Sequence, residues 1–154
     1  MIPLPETAPT YAIPPGYGYR RLTLPELRER TSLLGTLQIF QPPRPRHTYL
    51  LGVDVSDGLG KDRSVVDVIR LGTVEEVEEQ VAQYVTDSLP PAAFAYVVDA
   101  IGHLYHDPDG REALAAIECN NHGLSVQDTL QLHLGYTHFY TWEVLDQADP
   151  QKRW

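Results

Sequence analysis

Cysteine is almost missing from this chain: Cys119 stands alone among 154 residues. One thiol excludes an internal disulfide and any cysteine-rich zinc site. Long apolar runs are missing as well. Nothing approaches the roughly eighteen consecutive apolar residues that a membrane span requires. Basic side chains are scarce, with 12 Lys and Arg against 21 Asp and Glu and a formal net charge of −9. That deficit weighs against a broad nucleic-acid interface, because the phosphate backbone rewards Lys and Arg. It leaves open a site in which carboxylates hold divalent metals and the metals supply the positive charge that faces phosphate. The opening Met1-Ile2-Pro3-Leu4-Pro5-Glu6 has neither a basic nor an apolar leader segment, so no secretion signal is expected and the expected location is cytoplasmic.

What is present suffices for one globular domain with a core, at 42% hydrophobic residues. Local basic groups occur at Arg20-Arg21, Arg44-Pro45-Arg46-His47, Lys61 with Arg63, and Lys152-Arg153. Each taken alone reads as solvated surface charge.

Proline sets the organisation. Pro3, Pro5, Pro9, Pro14 and Pro15 prevent a helix or central strand over the first nineteen or so residues, which read as an extended arm. Thr23-Leu24-Pro25-Glu26 has the form of a capping box and predicts a short helix to about Ser32. Gln41-Pro42-Pro43-Arg44-Pro45 is a second breaker. The expected division is therefore a proline-rich arm with a short helix over 1–47 and a main domain over 48–154.

From Thr48 the pattern alternates between strand and helix. Tyr49 to Val55 is apolar apart from Asp54 and predicts a strand. Ser56 to Asp62 predicts a turn, and Ser64 to Arg70 a second strand forming an antiparallel hairpin with the first. Residues 73–87 are ambiguous: Val74, Val77, Val81 and Val85 fit a helical stripe, and periodicity alone favours helix. Pro90-Pro91 opens a helix with Phe94, Val97, Val98, Ile101, Leu104 and Tyr105 on one face, ended by His106 to Gly110. Ala113 to Glu118 predicts a third strand, Ser125 to Leu134 a short helix closed by Gly135, and His138 to Val144 a last strand.

Two acids carry the chemistry. Asp54 lies inside an apolar strand, and Glu118 ends another. A buried carboxylate is costly unless paired or bound to metal. Ligands of α/β sheets gather at the carboxyl ends of strands, where both acids fall. On neighbouring strands they would share a divalent ion, in the manner of Mg²⁺ held at ~2.0–2.1 Å by one or two carboxylates, waters and substrate phosphate. A second ion ~3.5–4 Å away would complete a clamp on the attacking and leaving oxygens of a phosphodiester. The competing reading makes Asp54 a cap for the amides of the 56–60 loop and Glu118 a partner of Arg or Lys. For either acid alone the two readings weigh equally. His103, His133 and His138 show no metal-ligand spacing.

The stretch from Tyr49 to Ser64, with Gly52-Val53-Asp54-Val55-Ser56-Asp57-Gly58, resembles the first hairpin of the nuclease domains of phage terminase large subunits. Ala116-Ile117-Glu118-Cys119-Asn120-Asn121-His122-Gly123 resembles their second acidic motif. The helix from Pro90 and the segment Leu134 to Tyr140 fall in the family's order. The resemblance spans about Thr48 to Trp154.

It implies a ribonuclease H-like mixed β-sheet flanked by helices, with antiparallel first strands and later parallel ones. It also makes residues 79–86 a third antiparallel strand, against the helical periodicity, and on that ground strand is expected. The implied activity is hydrolysis of concatemeric double-stranded DNA during packaging, by a metal-activated water with two Mg²⁺ or Mn²⁺ ions. Asp54 and Glu118 fall on the first and second metal-binding acids. Asp62 is left open as a further ligand, a turn residue being the simpler role. Asn121 and His122 would support Glu118 or touch phosphate, though a strand-to-helix turn explains them nearly as well. Lys61 and Arg63 would face DNA. The implied partners are the portal and the small terminase subunit, no membrane is implied, and the implied location is the cytoplasm of the infected host cell.

The pattern departs from the family in one respect. Such nucleases carry a third acid on a later helix, and the chain stops at Gln151-Lys152-Arg153-Trp154, with Asp146 and Asp149 too close to the last strand to replace it. We therefore expect an incomplete domain with low or no cleavage by itself. The phosphate-binding P-loop of the family's ATPase half is missing too, since Gly60-Lys61 is followed by Asp62. Two other classes compete. One is a non-catalytic acidic module that docks a protein of the packaging machinery, which suits the −9 charge. The other is an actin-like or sugar-kinase-like ATPase fragment, which the turn suits poorly because Asp57 and Asp62 would repel phosphate.

Overall fold

The computed structural model describes residues 36–118 and 120–140. The expected N-terminal helix, the side chain of Cys119 and the stretch 141–154 lie outside them. Five strands, β1 (Thr36–Ile39), β2 (Tyr49–Asp54), β3 (Ser64–Arg70), β4 (Glu79–Thr86) and β5 (Leu114–Ile117), form one mixed sheet in the order β1-β4-β3-β2-β5. Helix α1 (Pro91–Leu104) joins β4 to β5, and α2 (Asn121–Asp128) follows β5 and runs into a π-helical turn at Thr129–His133. All strand pairs are antiparallel except β2 with β5. An isolated parallel bridge joins Ala115 to Phe139 at the outer edge of β5. The chain is thus mixed α/β, as expected. Among the described residues no helix is long and apolar enough to cross a membrane.

Strand alternation sorts the sheet into two faces. Tyr49, Leu51 and Val53 on β2 are buried with Val66 and Val68 on β3, Ala82 and Tyr84 on β4, and Ala115 on β5. Helix α1 lays Phe94, Val98, Ile101 and Leu104 into the same core, and α2 with its π-helical turn adds Val126 and Leu130. Each such side chain contributes about 1.5–3 kcal/mol by leaving water. Leu50, Gly52, Val65, Asp67 and Ile69 belong to the other face and are only half-buried.

Residues 79–86 are strand, and a bulge explains why their periodicity looks helical. Val68 pairs with Ala82 and Ile69 with Gln80, so Val81 is the extra residue. Val81 and Ala82 are both buried as a result, and Val85 returns to the half-buried face. Val74 and Val77, the start of the apparent stripe, are exposed in the β3–β4 turn. Thr73 holds that turn, its Oγ1 accepting from the amides of Glu75 (3.2 Å) and Glu76 (3.0 Å).

The sheet reaches back across position 47. β1 pairs with β4 from Thr36↔Val85 to Ile39↔Ala82, and the following Phe40 and Gln41 amides both donate to the Val81 carbonyl. The Gln41 carbonyl accepts from the Tyr105 hydroxyl at 2.9 Å, and Arg44 N donates to the Tyr49 hydroxyl at 2.9 Å. Buried Arg70 binds Gln41 Oε1 at 2.7 Å and bridges Glu76 and Glu79 at 3.3 and 3.2 Å.

One polar group lies inside the helical layer. Asp99 of α1 is fully buried, and His103 Nδ1 is 2.8 Å from its carbonyl oxygen and 3.3 Å from its Oδ1. Burial pushes the Asp99 carboxyl up. Burial works to lower His103, but the hydrogen bond and charge of Asp99 outweigh it and leave the imidazole raised. Glu112 faces the pair while accepting from Thr137 N (2.6 Å) and Oγ1 (2.7 Å), and the Tyr136 hydroxyl donates to the Ala113 carbonyl.

Candidate metal centre

β2 and β5 run side by side in the same direction, in register from Leu50↔Leu114 to Val53↔Ile117. The next residue on each is Asp54 and Glu118, and Glu118 N donates to the Val53 carbonyl at 3.1 Å. Parallel register therefore sets the two acids abreast at the carboxyl ends of adjacent strands. Their carboxyl groups are close enough for each to influence the other's protonation. Glu118 is raised above its usual range, first by the hydrogen bond with Asp54, then by its negative charge, with a smaller effect of desolvation.

Neither acid is the buried charge that the sequence had suggested: both are exposed. Each sits where its strand leaves the sheet, so water reaches it. The pairing of two like charges is the informative feature instead. Two neighbouring carboxylates repel unless a proton or a cation lies between them.

The loop after Asp54 is satisfied without it. Ser56 N donates to Ser64 Oγ (2.9 Å), and Ser56 Oγ donates to the Asp62 carbonyl (3.1 Å). Gly58 N donates to Ser56 Oγ (3.3 Å), Leu59 N to Asp57 Oδ1 (2.9 Å) and Gly60 N to the Asp87 carbonyl (2.9 Å). Gly58 has φ 77, and a Cβ there would collide with the backbone of Leu89 and Pro90. The turn needs no carboxylate cap from Asp54. Likewise, among the described residues no Lys, Arg or His forms an ion pair with Glu118.

Beyond Glu118 the chain turns at once into α2, four residues earlier than the predicted start at Ser125. Asn120 is the N-cap, its Oδ1 accepting from Gly123 N at 2.7 Å, and its own amide donates to the Glu118 carbonyl at 3.0 Å. A Cβ on Gly123 would overlap that same carbonyl oxygen. Asn120 and Gly123 thus position Glu118, a role the motif alone did not assign to either. An Asn followed three residues later by Gly was the available signal.

Neither a family model nor a curated protein matches the chain.

Geometry must therefore carry the functional reading. Asn121 and His122 are exposed in the first turn of α2, and among the described residues no hydrogen bond links either to Glu118. Lys61 and Arg63 are exposed on the β2–β3 connection. Asp62 is exposed in the same turn, and the structure does not gather it with the acid pair. Among the described residues no third His, Cys, Asp or Glu completes a metal-binding group. Asp146 and Asp149 lie outside the described residues. Asp54 and Glu118 are the residues that could hold one hard cation of the Mg²⁺ or Mn²⁺ type, which takes one or two carboxylates and fills the rest of its shell with water and phosphate.

Proposed function

We propose that the chain carries part of a metal-dependent endonuclease domain of the ribonuclease H type, as in phage terminase large subunits, acting on the phosphodiester bonds of concatemeric DNA. The observation that carries this reading is the pairing of Asp54 with Glu118 at the ends of adjacent parallel strands. The strand pattern supports it: β2, β3 and β4 are antiparallel, and then β5 and the Phe139 bridge are parallel to their neighbours.

Asp54 and Glu118 would hold the ion. When bound, the ion supplies Lewis-acid polarisation of phosphate and a water of lowered pKa. The chain's own residues supply position. The Ser56–Ser64 hydroxyl pair fixes the loop leaving Asp54, and Asn120 with Gly123 fixes the backbone of Glu118. Among the described residues no third acid joins the pair to hold a second ion. Duplex DNA, the portal and the small terminase subunit are the partners that follow from the same proposal.

Calorimetric titration with Mn²⁺ tests it. Binding by the wild-type chain that disappears in both Asp54→Asn and Glu118→Gln is expected. Mn²⁺-dependent plasmid nicking that survives Asp54→Ala would overturn the assignment.

A second reading is a non-catalytic acidic docking module. The β3–β4 turn favours it, because Thr73 braces a tip with Val74 and Val77 exposed among Glu75 and Glu78. No Mn²⁺ binding, together with capture of a basic packaging protein by this tip, would decide for it. An ATPase site is disfavoured because the Asp57 carboxylate occupies the turn where phosphates would sit.

A further inference from the structure

The half-buried face of the sheet continues beyond the acid pair. Asp54 ends β2 and Glu118 directly follows β5, Asp54 pairs with Val65 on β3, and Val65 pairs with Val85 on β4. At the far side of this row Gln38, Arg63, Val85, Thr86 and Asp87 line a depression of about 360 Å³. It lies at the same end of the sheet as the acids: Arg63 directly precedes β3, the strand beside Asp54, and Val85 is on β4, one strand further.

Arg63 is the cation of this depression. It is exposed, and among the described residues it forms no ion pair, whereas Arg44 and Arg70 are both engaged with Glu76. Gln38 is exposed beside it and offers an amide donor. Asp87 is the one carboxylate in the lining; its Oδ1 accepts from Ser88 Oγ at 2.9 Å. An unengaged guanidinium with a neighbouring amide suits a phosphodiester, and the opposing Asp87 keeps the hold weak enough for DNA to move past.

We propose that this depression is a backbone-phosphate subsite for the cut strand, with Arg63 as its contact and the strand running across the sheet from the Asp54–Glu118 pair towards β4. The proposal rests on the nuclease reading and deepens it. It assigns Arg63 a backbone phosphate of the cut strand away from the scissile bond, and it makes Asp87 the residue that limits affinity.

The test is fluorescence anisotropy of a short labelled DNA duplex in Ca²⁺ across a salt series, with Mn²⁺ titrations of the same proteins alongside. Arg63→Gln should weaken binding and flatten the slope of log affinity against log salt by about 0.9, the loss of one phosphate contact. Asp87→Asn should tighten binding. Neither variant should alter Mn²⁺ affinity or the thermal midpoint. An unchanged slope in Arg63→Gln, with Mn²⁺ binding intact, would remove the subsite and leave the metal site standing. Loss of Mn²⁺ binding in the wild type, with an Arg63-dependent slope retained, would do the reverse. A wild-type chain that fails to bind the duplex overturns the subsite.

Discussion

Gly123 in the first turn of α2 lies against the carbonyl oxygen of Glu118, and no Cβ fits between them. The helix therefore starts as close to the end of β5 as backbone allows, and it holds Glu118 beside Asp54. Gly123→Ala should force the two apart. Overpacking of this kind costs about 1–3 kcal/mol, and here it should also weaken Mn²⁺ binding. Gly135→Ala is the control. It has φ 70 with no atom nearby, so strain of about 1–2 kcal/mol should lower stability and leave Mn²⁺ affinity alone.

The acid pair predicts a reversal of sign. Without a divalent ion, Asp54 and Glu118 repel, so Asp54→Asn should leave the thermal midpoint equal to the wild type or higher. With Mn²⁺ at a hundred times its dissociation constant the wild type should gain about 2.7 kcal/mol, and the variant should gain nothing. Differential scanning fluorimetry with and without Mn²⁺ reads both. A variant that keeps the Mn²⁺ shift would show that the ion sits elsewhere.

Asp99 and His103 predict a pH dependence. Both have raised folded-state pKa values, from 3.8 and 6.5 in turn, so the folded chain holds protons that the unfolded chain releases. Their contribution is full below those unfolded values and is lost as pH rises through the folded ones. Glu112 works the other way. Burial pushes it up, but the Thr137 hydrogen bonds bring it below 4.5, so its contribution is lost only as pH falls. The Glu112 contribution is already complete above pH 4.5, whereas that of His103 is lost only from pH 6.5 upward. The urea midpoint should decline there, and the double variant Asp99→Asn with His103→Gln should flatten the decline.

Arg70 is the clamp of the β3–β4 turn, with its side chain 4% exposed against 37% and 50% for Glu76 and Glu79. Because its partners are half in water, the loss on Arg70→Ala should be about 2 kcal/mol, below the figure for a fully buried pair. Hydrogen exchange should speed up selectively at residues 73–78. Uniform acceleration across the sheet would show that Arg70 supports the core and not the turn.

Much of the architecture was legible because it depends on local pattern. The β-branched run Ser64 to Arg70, the turn glycines before it and the proline pair opening α1 each dictate their own element. The stripe Val74, Val77, Val81 and Val85 misled for a physical reason: a bulge at Val81 inverts strand alternation, and alternation is what distinguishes strand from helix in a sequence. β1 was hidden because Thr36 to Ile39 is too short to announce itself and gains its hydrogen bonds only from β4. The start of α2 was missed because Asn120 and Gly123 act through a cap and a close approach to Glu118.

By itself the sequence determined that one cysteine could form no internal disulfide, that a strand hairpin would follow Thr48 with a helix opening at the Pro90-Pro91 pair, and that Asp54 and Glu118 would each belong to an apolar strand segment. Only the tertiary structure decided that those strands are parallel neighbours in register. Pairing between residues more than sixty positions apart is settled by which edges a crossover helix brings together. No local run of residues encodes that choice, and the proximity of the two carboxylates follows from it.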